Sequence, residues 1–172
     1  MNTGQSLFAI GALLLLSLTI LRVNNNIILT DSMMIDSKFG IIANSIATSL
    51  IESATEKFFD ANTKEGPCDI SALTYPPNKE SGETGPDNFD DFDDFNNYPQ
   101  IDTVGSVVFY SMCKVSYVDP DPDNPTSLDN VVSTRTWNKK LSVSVTWTMN
   151  DQTIGFSADT VKQSTIYSYW YF

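Results

Sequence analysis

The sequence predicts an α+β protein: a long N-terminal α-helix, first hydrophobic and then amphipathic, packed on a C-terminal antiparallel β-sheet domain. Three observations carry that expectation. An uncharged apolar run, Leu7–Leu21, leads through Arg22 and Asn24-Asn25-Asn26 into further helical periodicity that ends near Phe59. Beyond it the chain alternates apolar and polar residues between clusters of Gly, Pro, Asn and Asp. Charge also divides unevenly: of the net −11, residues 1–60 contribute −2 and the remainder −9. The 172 residues hold one compact domain plus an extension. We therefore divide the chain into a helical segment, 1–60, and an acidic β domain, 61–172.

Composition excludes several function classes. So acidic a domain repels phosphate backbones, which argues against nucleic acid as a partner. The chain has no histidine, which removes the commonest general base and the commonest transition-metal ligand. The two cysteines, Cys68 and Cys113, form one disulfide if the domain is exported. The alternative, two buried free thiols, goes with a reducing compartment.

The helix comes first. Leu7–Leu21 would be about 22 Å long as a helix, short of the roughly 20 residues that usually cross a bilayer. It is apolar around its whole circumference, with Leu7, Phe8, Ile10, Leu13, Leu14, Leu15, Leu16, Leu18, Ile20 and Leu21 as the candidate core of an assembly. A removed secretory signal fits poorly, because Met1–Ser6 has no charged side chain and Arg22 follows the run directly. From Ile27 the apolar residues fall at Ile27, Ile28, Met34, Ile35, Ile41, Ile42, Ile46, Leu50, Ile51, Ala54 and Phe58, in steps that mark one helix face. The C-terminal half of that stripe is expected to cover the sheet. Asn24-Asn25-Asn26 interrupts the hydrophobicity, and Gly40 is a point where the helix could bend.

This layout resembles the type IV pilins and pilin-like proteins. That family has a short leader ending in glycine, an apolar helix that leaves the membrane to form a filament core, an amphipathic continuation, and a β domain often closed by a disulfide. The resemblance implies a leader Met1-Asn2-Thr3-Gly4 cut before Gln5, a filament-core helix Leu7–Leu21, and a Cys68–Cys113 bond. An uncleaved helix is the alternative. Where most bacterial members carry a glutamate that helps register subunits, this chain has the neutral Ala9.

In the β domain, Val104–Tyr117 reads as a strand covered on both faces, with Val107, Phe109 and Ser111 alternating against Val108, Tyr110 and Met112. Val131–Trp137 is a second candidate. Lys140–Met149 is the clearest: Leu141, Val143, Val145, Trp147 and Met149 face one way and Ser142, Ser144, Thr146 and Thr148 the other. A turn at Asn150-Asp151-Gln152 leads to Thr153–Ala158, and Val161–Phe172 closes a meander of four or five strands. The last strand carries aromatics on both faces, one for the core and one for a loop or a neighbouring subunit.

Two acidic stretches complete the chain. Residues 87–98 repeat aspartates and aromatics, and Asp119-Pro120-Asp121-Pro122-Asp123-Asn124 is stiffened by prolines. Asp87, Asp90, Asp91, Asp93 and Asp94 are candidate ligands for calcium, which takes six to eight oxygens in irregular geometry. They lack the glycine and closing glutamate of an EF-hand. The competing reading is a solvated loop whose phenylalanines tuck into the surface. Aspartates in a loop without a cleft scaffold are no basis for a glycosidase, so the chain is read as a non-enzyme.

The expected function is that of a structural subunit: a homo-oligomeric helical filament outside the cell, assembled through the N-terminal helix by the pilus assembly machinery from a pool held in the cytoplasmic membrane. The alternative is a membrane-tethered monomeric binding module, a minor pilin or pseudopilin.

Overall fold

The computed structural model describes residues 3–120, 123, 127, 130–149 and 160–170. The chain is α+β. One α-helix, α1 (Thr3–Thr55), runs unbroken through Asn24-Asn25-Asn26 and Gly40, the two expected weak points. Five strands follow: β1 (Pro99–Val104), β2 (Val107–Asp119), β3 (Asn130–Val131), β4 (Asn138–Met149) and β5 (Thr160–Ser168). The chain divides into two compact units, Met1–Ile41 and Ile42–Phe172.

The first unit is helix alone. Its large apolar side chains stand exposed on every side, Leu7 at 76 % and Phe8 at 83 % among them. The most apolar window has a mean hydropathy of 2.2 and no part of it is buried, so this helix is long and apolar enough to cross a membrane. Three of its hydroxyls are satisfied internally. Thr19, Thr30 and Ser37 each donate to the carbonyl four residues back, at 2.8 Å, and so need no water.

In the second unit the tail of α1 packs on a fully antiparallel sheet of order β1-β2-β4-β5, with β3 paired to the end of β2. The helix face that meets it differs from expectation. Ala43, Ala47, Leu50 and Ala54 are buried, whereas Ile41 and Phe58 are exposed and Ile42, Ile46 and Ile51 only half-buried. The bulk comes from the strands: Val107, Phe109 and Val115 of β2 and Leu141, Val143, Val145 and Trp147 of β4 are buried in register across the sheet. Opposite such residues, alanines let the helix backbone approach, and larger side chains are displaced to the flanks. Gln163 of β5 ties the two layers together, donating to Asn44 Oδ1 at 2.5 Å.

The strands correct the sequence reading in three places. The predicted start at Val104 conceals a hairpin: β1 and β2 pair from Pro99↔Met112 to Val104↔Val107. The intervening turn is Gly105-Ser106, with Gly105 at φ +65°, a conformation that costs glycine nothing. Of the expected strand Val131–Trp137 only Val131 lies in a strand, as the second residue of β3. And β2 is covered on one face only: Tyr110 and Met112 are about half exposed, beside Ile101 of β1. The expected turn at 150–152 and strand at 153–158 lie outside the described residues. Of the C-terminal aromatics, Tyr167 and Tyr169 pack inward on Phe59, Trp170 is exposed, and Tyr171 and Phe172 are outside the described residues.

Candidate functional site

Two features stand out chemically: the bare apolar helix already described, and the acidic loop of residues 80–98. The loop is solvated only in part: residues 89 and 91–95 are buried, while 80–82, 84, 87, 88, 90 and 97 are exposed. Phe89, Phe92 and Phe95 are fully buried, at a spacing of three residues that turns successive rings into the domain. Phe89 meets Phe95 edge-on at 5.0 Å and Tyr98 at 5.2 Å, and Phe92 meets Tyr167 at 5.2 Å. The backbone is anchored too, since Phe58 N–H donates to Asp90 O and Phe92 N–H to Phe58 O.

Driving those rings inward carries the intervening aspartates with them. Asp91, Asp93 and Asp94 are fully buried, as is Asp60 just past α1. Lys139 lies among them, equally buried. Its Nζ is 2.8 Å from Asp60 Oδ2 and 2.6 Å from Asp93 Oδ1, and it donates to Phe59 O at 2.8 Å. The ammonium also sits 4.4 Å from the centre of the Phe59 ring.

One cation faces more than one buried carboxylate, so the sites divide their roles. Burial works to raise the Asp60 carboxyl, but Lys139 and donors from Thr74 and Asn62 more than offset it, and Asp60 lies below the ordinary carboxylate value. Asp93 has Lys139 but no directed hydrogen bond, and burial pushes it up to about 8 despite the lysine. Asp60 is therefore the stronger acid of the two carboxyls that share Lys139, and Asp93 takes up a proton more readily. Burial, with Asp94 beside it, pushes Asp91 up to about 6; its Oδ1 accepts from the Asp93 and Asp94 N–H groups.

The outer side of the loop gathers a different set. Glu80, Glu83, Asp90 and Asp94 each bring a carboxylate oxygen within 4.8 Å of the others. Partial burial and the carboxylates of Asp91, Glu83 and Asp94 push Glu80 up to about 7. Lys64 pairs with Asp90 at 2.5 Å.

The five sequence candidates for calcium therefore do not act together. Asp90 and Asp94 belong to the outer group, Asp93 pairs with Lys139, Asp91 turns inward onto the Asp93 and Asp94 N–H groups, and Asp87 is exposed outside both. Glu80, Glu83, Asp60 and Lys139 were missed. A signal existed for Lys139: it shares the strand parity of Leu141, Val143 and Val145, all buried. In the second acidic stretch, residues 121, 122 and 124 lie outside the described residues.

The expected disulfide is also corrected: Cys68 and Cys113 are both free thiols. Cys113 is buried in mid-β2, whereas Cys68 packs on the Phe59, Leu73 and Tyr117 cluster. Burial pushes the Cys113 thiol up to about 12, so it is an inert core residue. Gly4 and Gln5, the candidate leader junction, lie in the first turns of α1.

No protein-family model matches the chain, and neither does any curated protein or solved structure.

Proposed function

We propose that this chain is a structural subunit of an extracellular filament of the type IV pilus class, assembled through residues 3–41 of α1 with the β domain outward. The observation that carries the reading is the complete exposure of an apolar surface around that helix, Leu7, Phe8, Leu15 and Leu16 included. Exposed apolar area on this scale is held by lipid or by other protein. Burying each such side chain stabilises by about 1.5–3 kcal/mol relative to water. The gain relative to lipid is far smaller, so moving the helix from a membrane into a bundle of its copies requires work from assembly machinery and further contacts between β domains.

The second reading is a tethered, monomeric binding module, favoured by the half-exposed apolar side chains Ile101, Tyr110 and Met112 on the open sheet face. The two readings make opposite demands on the helix. In the filament, Leu15→Asp places a charge in the packed core and abolishes filaments while the β domain stays folded. Intact filaments from that variant would overturn the core assignment. In the tether, an unrelated transmembrane helix substituted for residues 3–30 preserves function; in the filament it does not.

A further inference from the structure

We infer that Glu80, Glu83, Asp90 and Asp94 form a binding site for a hard divalent cation, and that their coordination chemistry selects calcium. The inference does not depend on the filament reading. One carboxylate oxygen from each residue lies within 4.8 Å of all the others. Ligands on opposite sides of a calcium ion, each 2.3–2.6 Å from it, are about 4.6–5.2 Å apart, so all four oxygens fit one coordination sphere.

The second observation is Asp94. Its side chain is fully buried, and its two oxygens are in different situations. Oδ2 accepts from the backbone N–H of Asp90 at 2.9 Å and of Asp91 at 3.1 Å, which holds the carboxylate in place. Oδ1 has no N–H or hydroxyl donor, and the carboxyl meets that of Glu83, with which it hydrogen-bonds only when one of the two holds a proton. An acceptor buried without a partner is costly, and one that faces another acid group more so. A cation supplies the missing partner and relieves the repulsion in one step. Among the described residues Lys64 reaches only Asp90, and no ion pair reaches Glu80, Glu83 or Asp94.

The donor set is all oxygen. Zinc prefers nitrogen and sulfur, and the chain has no histidine. Magnesium demands near-ideal octahedral geometry at 2.0–2.1 Å, which four carboxylates on two loop turns are poorly placed to supply. Calcium accepts irregular geometry and completes its sphere with water. Bound there, it ties the turn at 80–83 to the segment 90–94, which is itself hydrogen-bonded to Phe58.

The test is calorimetric titration of the full-length chain, stripped with chelator and held in detergent, with calcium chloride and in parallel with magnesium chloride. We expect saturable binding of one calcium, protection of residues 78–90 from proteolysis, and weaker magnesium binding. Glu83→Gln should weaken calcium at least tenfold, and the Glu80→Gln/Glu83→Gln pair should abolish binding. Both residues lie at the surface, and circular dichroism checks that the variants stay folded. Asp87→Asn, outside the set, should bind as the parent does. Absence of saturable binding up to about 5 mM calcium would overturn the proposal. So would unchanged affinity in the double variant, and magnesium binding as tight as calcium would overturn the choice of ion.

Discussion

At the scale of single residues, the second unit turns on Lys139. Its ammonium is enclosed by Asp60, Asp93, the Phe59 carbonyl and two aromatic rings. Removing one partner from a buried ion pair leaves the other charge uncompensated, which costs about 3–5 kcal/mol. Lys139→Met should therefore lower unfolding stability by that order at pH 8, and by less toward pH 5, where the carboxyls take up protons. Urea denaturation at the two values, with chelator present, checks both statements. The same cluster sets the parent's pH dependence. Asp91 and Asp93 are held up at about 6 and about 8, above their unfolded value, so the folded chain binds more protons across that interval. Their contribution is full below their unfolded value near 4 and is lost as pH rises from there to about 8. Asp60 acts in the opposite sense: its lowered value contributes stability above its unfolded pKa near 4, lost as pH drops through the acid range. Asp93→Asn should flatten the slope between pH 6 and 8; a slope equal to the parent's would remove Asp93 as its source.

At the scale of elements, helix and sheet meet through small residues on one side and large ones on the other. Ala47 is fully buried beneath the sheet. Ala47→Leu forces extra methylenes into a packed layer and should cost about 1–3 kcal/mol, read as a lowered denaturation midpoint. Unchanged stability would mean that the layer is loosely packed there. This contact also marks the limit of what periodicity reveals. The helix, β2 and β4 were legible because long runs at one period outweigh local exceptions. The centre of the buried face was legible only in part: Leu50 and Ala54 of the expected stripe are buried, but Ala43 and Ala47 carry little hydrophobic signal while the flanking isoleucines carry much. The Gly105-Ser106 hairpin was hidden by a strand of similar composition on each side. The acidic loop misled for another reason: its aspartates read as solvent-facing, yet three phenylalanines in register carry them inside, where Lys139 and backbone N–H groups receive them.

At the scale of the whole molecule, two units of opposite character share one helix. The second has its own core, with one sheet face covered and an internal ion pair. The first has an apolar surface and no cover of its own. In the proposed filament, the acidic charge concentrated in residues 61–172 would set a repulsion between neighbouring copies. Charge neutralisation by divalent ions would ease such packing, so sheared filaments should be longer in calcium than in chelator. Equal length distributions by negative-stain microscopy would show that intersubunit contacts do not depend on it.

The measurement that tests the central claim most directly is electron microscopy of filaments sheared from cells that express this chain, with mass spectrometry of the N-terminus of their main protein. Filaments built from this chain are the predicted result, their terminal mass separating a start at Met1 from one at Gln5. Recovery of the chain as single copies in the membrane fraction, with no filaments containing it, would contradict the account.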